Sequence, residues 1–412
     1  MSRLSRLASP LALVFVAVVA SPTHAQETRG YFRFPAVHGS TVVFVAEGDL
    51  WKVPVTGGAA QRLTTHPSEE TRPAISPDGQ TIAFSAEYEG PREVYSMPIG
   101  GGLPKRHTYD GGGADVVGWT PDGRILYATS KYATLPNAQL ITIDPRTNRK
   151  DRIPLEQASE GSFAEDGRTL FFTRLAKQGS FTRNYKGGTA QNLWRISLPE
   201  TSTGLAGGAT SSVFGWAGGD GVQGTAGTSL ATSSPGVPRR DPRLLVLADG
   251  NGAGAGTGTH AHSHAVGEAV PLTGAYSGTS RSPMFGDGRV YFISDRADGS
   301  ADGGVTVGPG KPPGIFDGGV MNVWSMDANG GDLRQHTRHD VYEVQSPSLH
   351  GGRVVYQNGA DLWTVEVPAG EPRKIPIILV SDFDHLREQW VDSPMQYLTS
   401  VRLSPTGDRV AL

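Results

Sequence analysis

The chain has 412 residues, a formal net charge of −3, 55 glycines and no cysteine. That length exceeds one ordinary domain, and the near-neutral, scattered charge excludes a nucleic-acid surface. The absence of cysteine excludes disulfides, thiolate metal sites and cysteine nucleophiles.

Residues 1–25 read as a secretory signal. Arg3 and Arg6 give a basic start, and 11–20 is an apolar run too short to span a bilayer. Thr23 and Ala25 stand where a signal peptidase reads small residues, so cleavage is expected before Gln26. The mature chain is then expected to be periplasmic or secreted, with no membrane span.

From Phe32 onward a unit recurs about every 40 residues. Its first landmark is a hairpin tip followed by a strand. In Ser76-Pro77-Asp78-Gly79, Pro77 presets φ, Asp78 bonds its own backbone and Gly79 supplies a positive φ. Ile82 and Phe84 then alternate with Thr81, Ala83 and Ser85 at the period of a strand. Copies follow at Thr120-Pro121-Asp122-Gly123 and Glu165-Asp166-Gly167, with looser ones at Gly286-Asp287-Gly288, His350-Gly351-Gly352 and Ser404-Pro405-Thr406-Gly407.

The second landmark is a polar residue, an aliphatic and usually an aromatic. It occurs at Asp49-Leu50-Trp51, Glu93-Val94-Tyr95, Gln139-Leu140-Ile141, Asn192-Leu193-Trp194, Asn322-Val323-Trp324 and Asp361-Leu362-Trp363. The third closes most units with Thr64, Thr108, Thr273 or Thr337. The pattern predicts an all-β, six-bladed β-propeller of WD40-like or TolB-like repeats over 30–376, with four strands, A to D, in each blade. Trp51, Tyr95, Trp194, Trp324 and Trp363 are assigned a structural role, filling the space between blades. Blades one and six each own four strands, which leaves the ring to close by side-chain packing alone.

Strand alternation puts the B–C and D–A loops on one rim and the A–B and C–D loops on the other. Two inserts, 177–191 and 297–319, fall in the B–C loops of blades four and five and share a rim. The third, 201–268, lies in the C–D connection of blade four. Its Gly, Ala, Ser and Thr content predicts disorder, with 244–247 as its one candidate strand. After Pro376 a connector is expected over 377–399. Residues 400–412 begin a second propeller, truncated within its second strand.

No catalytic constellation is found, and Gly-x-Ser-x-Gly does not occur. His260, His262 and His264 alternate, but their nearest carboxylate is Glu268 and their setting is that of an inert linker, so no metal is assigned. The run 307–311 lacks the first glycine and the hydroxyl of a phosphate loop. Asp78, Asp122 and Asp166 are spent on their turns. No cofactor is indicated. In the rim insert, Arg183, Tyr185 and Lys186 combine two cations with an aromatic beside a glycine pair. That is the chemistry of a contact to a peptide carboxylate or an adjoining domain, with an ordinary solvated loop as the alternative.

The blade pattern, the run Tyr185-Lys186-Gly187-Gly188-Thr189-Ala190-Gln191-Asn192-Leu193-Trp194 and the run Tyr291-Phe292-Ile293-Ser294-Asp295-Arg296 resemble the N-terminal part of the tricorn protease family. The resemblance covers about residues 30 to 412. It implies a six-bladed propeller followed by a seven-bladed one, then mixed domains and a PDZ domain that carry a Ser/His-based site. It implies a homo-oligomeric serine peptidase acting on oligopeptides, with the six-bladed ring lining a route to or from the chamber. None of the family's catalytic positions falls in this chain, whose expected role is a non-catalytic channel and assembly scaffold. The family's archaeal members imply a cytoplasmic location as the alternative to export. Two other readings remain open, a TolB-like periplasmic interaction propeller and the propeller of a prolyl-oligopeptidase-type peptidase.

Overall fold

The structure, a computed structural model, describes residues 30–135, 137–176, 190–199, 267–276, 278–296, 319–381, 393, 395, 398 and 400–411. The hairpin grammar folds as its chemistry dictates. Ser76 Oγ donates to Asp78 Oδ1 at 2.5 Å, the Gln80 N–H donates to the same oxygen at 3.0 Å, and Gly79 takes φ +72°. Each such turn joins the first two strands of a four-stranded antiparallel meander, and six meanders form.

Blade one consists of β1 (Arg33–His38), β2 (Thr41–Ala46) and β3 (Asp49–Pro54), with β4 (Gly58–Ala59) in the connection before its outermost β5 (Gln61–Arg62). Blade two is β6 (Glu70–Ile75), β7 (Thr81–Ala86), β8 (Glu93–Pro98) and β9 (Lys105–Arg106). Blade three is β10 (Asp115–Trp119), β11 (Ile125–Thr129), β12 (Gln139–Ile143) and β13 (Lys150–Arg152). Blade four is β14 (Glu160–Phe163), β15 (Thr169–Thr173), β16 (Leu193–Ser197) and β17 (Val270–Pro271), so the long insert leaves between its third and fourth strands. Blade five is β18 (Ser280–Gly286), β19 (Arg289–Ser294), β20 (Asn322–Asp327) and β21 (Arg334–Gln335). Blade six is β22 (Val344–His350), β23 (Arg353–Asn358), β24 (Asp361–Glu366) and β25 (Arg373–Lys374).

The second and third strands of each blade are buried on both faces, and their alternation sorts side chains between two neighbours. In β2, Val42 and Phe44 pack with Val355 and Leu362 of blade six, while Val43 and Val45 pack with Ile82 and Phe84 of blade two. The third-strand triplet obeys the same rule. Its aliphatic residue faces the following blade: Leu50 joins the blade-two cluster, Val94 that of blade three and Leu193 that of blade five. The residue after it faces the preceding blade: Trp51 joins blade six, Tyr95 blade one, Ile141 blade two and Trp324 blade four. Trp51, Tyr95 and Trp324 are buried, whereas Trp194 and Trp363 are half-buried and pack at the edges of the clusters shared with blades three and five.

The closing threonines clasp each blade at its B–C end. Thr64, Thr108, Thr273 and Thr337 accept the N–H of Leu50, Val94, Leu193 and Val323, each at 2.9 Å. The hydroxyl passes its own proton to the polar residue that opens the triplet: Glu93, Asn192 at 3.2 Å, or Asn322 at 2.8 Å. In blade one it goes to Glu70, while Asp49 takes Arg62 and the His66 N–H. A buried carboxylate or amide beside the strand therefore stands satisfied, as burial requires.

Ring closure departs from the expectation of side-chain packing alone. β26 (Ile377–Ile378) leaves blade six and pairs in parallel with β4 of blade one, Ile377 opposite Gly58 and Ile378 opposite Ala59. The Gly58 N–H donates to the Pro376 carbonyl at 2.8 Å and the Ala60 N–H to that of Ile378 at 2.9 Å. On the other side of the seam the Phe32 N–H donates to Ala360 O at 2.9 Å. Ile375, Ile377 and Leu379 are buried in one cluster with Phe32, Trp51 and Val53. The boundary expected at Pro376 thus cuts through packed core, and 377–379 belong with the ring rather than a connector. Beyond it, β27 (Arg402–Leu403) and β28 (Val410–Ala411) form a two-stranded hairpin at the start of the expected second propeller, with Val401, Leu403 and Val410 exposed.

The seam makes Ile377 a stability residue. Ile377→Ala is expected to lower unfolding free energy by about 2–5 kcal/mol, as for other large-to-small core changes. The half-buried Ile378→Ala is expected to cost less. Denaturant midpoints of both variants against the parent chain check this, and an unshifted Ile377→Ala midpoint contradicts the seam.

Candidate functional site

Two Ser–His pairs were the first candidates for chemistry. Ser96 Oγ lies 2.7 Å from His107 Nε2, and His107 Nδ1 lies 2.7 Å from Asn148 Oδ1. That is the order of a nucleophile, a base and an orienting group. The same pair recurs in blade five, where Ser325 Oγ lies 2.8 Å from His336 Nε2 and the Pro368 carbonyl lies 3.2 Å from His336 Nδ1. The two serines occupy equivalent places on the third strands of their blades, opposite Lys105 and Arg334. Each histidine reaches from its own blade to the next, to Asn148 of blade three or Pro368 of blade six. Ser96 and His107 are both buried, and burial holds His107 and His336 below the ordinary histidine range. These are inter-blade staples, and a substrate carbonyl has no approach to Ser96.

A cavity of about 460 Å³ opens between blades five and six, lined by His336, Arg338, His339, Pro368 and Glu371 among others. It sits at the outer edge of the ring, away from the channel.

The channel is walled by the innermost strands, β1, β6, β10, β14, β18 and β22. Four of them carry a residue before proline at a bulge: Phe34, Arg72, Ser282 and Ser346, with φ of 49, 53, 55 and 46°. Proline has no N–H for a ladder, and an innermost strand has a free edge to spare. Left-handed backbone before proline is costly and persists only where neighbours impose it. Hydroxyls reaching from the preceding blade supply part of that hold. Ser348 Oγ accepts the Val37 N–H in blade one and Ser162 Oγ the Phe285 N–H in blade five, each at 3.0 Å.

Charged residues stand at or beside the B–C ends of the innermost strands: Arg33, Glu70 and Arg72, Asp115, Glu160, Arg281, and Glu343 just before β22. Arg33 pairs with Glu69. Arg72 Nε lies 3.4 Å from Asp115 Oδ1, which also takes Arg92 at 2.9 Å. Glu160 Oε2 accepts the Ser282 N–H at 2.8 Å. Arg281 differs: only 6% exposed, its guanidinium has no hydrogen-bond acceptor among the described residues. Burial pushes it below the ordinary arginine range, Glu160 and Glu343 oppose that shift, and Arg72 adds to it. The Arg72 and Asp115 side chains keep 42% and 33% of their surface in solvent, so water reaches this part of the wall.

The rim at this end also carries exposed aromatics, Tyr31, Tyr109, Tyr132 and Tyr342. Arg183, Tyr185 and Lys186 lie outside the described residues, as do His260, His262 and His264. Sequence reasoning passed over Arg72 and Arg281. The recurring X-Pro of the innermost strands was the available signal, since it aligns Arg72 with Phe34, Ser282 and Ser346. Among the described residues no group of three or more potential ligands could hold a metal ion, and no helix is long and apolar enough to cross a membrane.

Residues 29–206 match the family described as the tricorn protease N-terminal beta propeller domain. Tricorn protease homolog 1 of Streptomyces coelicolor is 27% identical over 358 residues, covering 85% of this chain and 25% of that protein. The tricorn protease homolog of Saccharolobus solfataricus is 22% identical over 388 residues, covering 93% and 28% respectively. The crystal structure of the tricorn protease superimposes with a TM-score of 0.56 at 19% identity, over 84% of this chain and 26% of that one, and so shares its fold. The chain therefore spans about a quarter of the length of these relatives.

The staples set a pH dependence. Burial holds His107, His336, His339 and His350 below the ordinary histidine value. Each is proton-poor in the fold, so its contribution is intact above the unfolded value of about 6.5 and is lost as pH falls below it. Glu70 acts in the opposite sense: burial raises it to about 7, so its contribution is full below 4.5 and is lost as pH rises through 7. The four histidines should prevail, with the denaturation midpoint falling between pH 7.5 and 5.5. The double variant His107→Gln, His336→Gln should show a smaller fall, and an equal or larger one contradicts the assignment.

Proposed function

We propose that this chain, a member of the tricorn protease family, serves as the catalytically inert passage and scaffold of a longer serine peptidase acting on oligopeptides. The observation that carries this reading is the closed six-bladed ring with charged residues at the B–C ends of its innermost strands, from Arg33 and Arg72 to Asp115 and Glu160. Buried Ser–His staples offer no nucleophile, so hydrolysis is assigned to domains beyond this segment, by acyl transfer. Peptides are the proposed traffic, and homo-oligomerisation of the full protein the proposed assembly.

The exposed tyrosines of the B–C rim favour a second reading, a protein-interaction platform. Tyrosine combines large contact area with few rotatable bonds, which suits it to interfaces. The two readings meet if this rim faces the rest of the same protein.

Gln345→Trp, on the innermost strand of blade six, is the discriminating change in the longer protein. If the channel is a passage, turnover of long peptides should drop several-fold while a small chromogenic substrate is spared. Equal turnover of both, before and after, favours the platform. We also propose export by residues 1–25. N-terminal sequencing of the protein recovered from its own cells should begin at Gln26, and a retained Met1 excludes cleavage there.

A further inference from the structure

The two innermost strands that meet at the seam both end in histidine. His38 closes β1 and His350 closes β22, so the pair stands at the A–B mouth of the ring, on blades one and six. Their rings stack, with centroids 3.9 Å apart and planes tilted by 38°. Each ring also makes one hydrogen bond to another blade. The Gly39 N–H of blade one donates to His350 Nδ1 at 3.0 Å, and His38 Nε2 lies 3.0 Å from the Pro77 carbonyl of blade two.

These bonds fix where the protons sit. A backbone N–H only donates, so His350 Nδ1 is bare and Nε2 carries the proton. A carbonyl only accepts, so His38 Nε2 carries its proton and Nδ1 is bare. A second proton therefore acts differently on the two rings. On His38 it goes to Nδ1 and leaves the bond to Pro77 intact, with the Asp78 carboxylate of the same turn favouring the charge. On His350 it goes to Nδ1, where it faces the Gly39 N–H and abolishes that bond.

The surroundings leave the pair reachable but confined. Both rings are half-buried. A Cβ on Gly79 would lie 2.6 Å from His38 Cε1, so the blade-two turn blocks retreat of His38 from His350. The charged groups around the pair are Asp78 on blade two, Asp287 beside Gly352 at the blade-five turn, and Arg353 with Glu366 on blade six. Arg353 is committed, since Nη1 donates to the Gly39 carbonyl at 2.9 Å and Nε to Glu366 Oε1 at 2.6 Å. Burial first, and then the neighbouring His38, oppose a charge on His350.

We propose that His38 and His350 form a proton-operated latch across the seam, shut at neutral pH and released at the A–B mouth when His350 takes a proton at Nδ1. The released mouth binds a proton that the shut one excludes, so the latch holds above the ordinary histidine value of about 6.5 and is lost as pH falls below it. The other ties of the seam, β26 on β4 and the Phe32 N–H on Ala360 O, contain no histidine and hold while the mouth loosens. The latch belongs to the ring itself and does not depend on what passes through it.

The test is amide hydrogen exchange on the full 412-residue chain at pH 7.5 and 5.5, read as protection factors at Gly39 and at Phe32. On acidification Gly39 should lose protection relative to Phe32 by up to about tenfold, the preference of a free imidazole for its proton one pH unit below 6.5. His350→Gln removes the titrating group and should abolish that relative change, whereas His66→Gln, on the other rim, should keep it. In histidine 15N spectra of the parent at pH 7.5, His350 should show the Nε2–H tautomer. These spectra need no variant, so the latch stays testable if His350→Gln does not fold. An Nδ1–H tautomer at His350, an equal loss of protection at Gly39 and Phe32, or a relative change that persists in His350→Gln overturns the latch.

Discussion

Alternation along the second and third strands is the constraint from which the rest follows. A strand with apolar residues on both faces needs a neighbour on both faces. Val42 and Phe44 look back to blade six while Val43 and Val45 look forward to blade two, and the same division runs through all six blades. No blade can satisfy this alone, so the first and last must meet. The meeting is made by Trp51, Leu362, Ile375 and Ile377 in one cluster, with β26 laid against β4 as the backbone tie.

The same geometry decides where chemistry can be. Serine and histidine come together at Ser96–His107 and Ser325–His336, but on faces committed to neighbouring blades, where each pair ties blade to blade. The innermost strands also carry charged residues at their B–C ends, such as Arg72 and Asp115, which stay partly in solvent. At the bulges before proline, Phe34 packs with the cluster shared by blades one and two, and Arg72 reaches Asp115 of blade three.

Much of this was legible beforehand for physical reasons. The Ser-Pro-Asp-Gly turns and the polar–aliphatic–aromatic triplets are local devices, each fixed by its own turn or strand, so six blades could be counted from residues alone. The closing threonines were visible as a repeat, but their purpose needed the partner residue, as in Thr337 with Asn322. The seam was not legible. Gly58 and Ala59 have no strand character, and their partners Ile377 and Ile378 lie more than 300 residues away in a parallel pairing. Nor was the burial of Arg281, which belongs to no motif. Arg183, Tyr185 and Lys186 drew notice because two cations beside an aromatic stand out locally, whereas the charges at the B–C ends of the innermost strands are spread over separate blades.

Amide hydrogen exchange at the seam tests the closed ring most directly. The Gly58 and Ala60 N–H groups have their only described acceptors on the segment leaving blade six. If the ring is closed as described, both should exchange through the same opening as buried second-strand amides such as Phe44, with comparable protection. Exchange of Gly58 and Ala60 at rates near those of an unstructured chain, while Phe44 stays protected, would mean that blades one and six are not tied and that the ring is open.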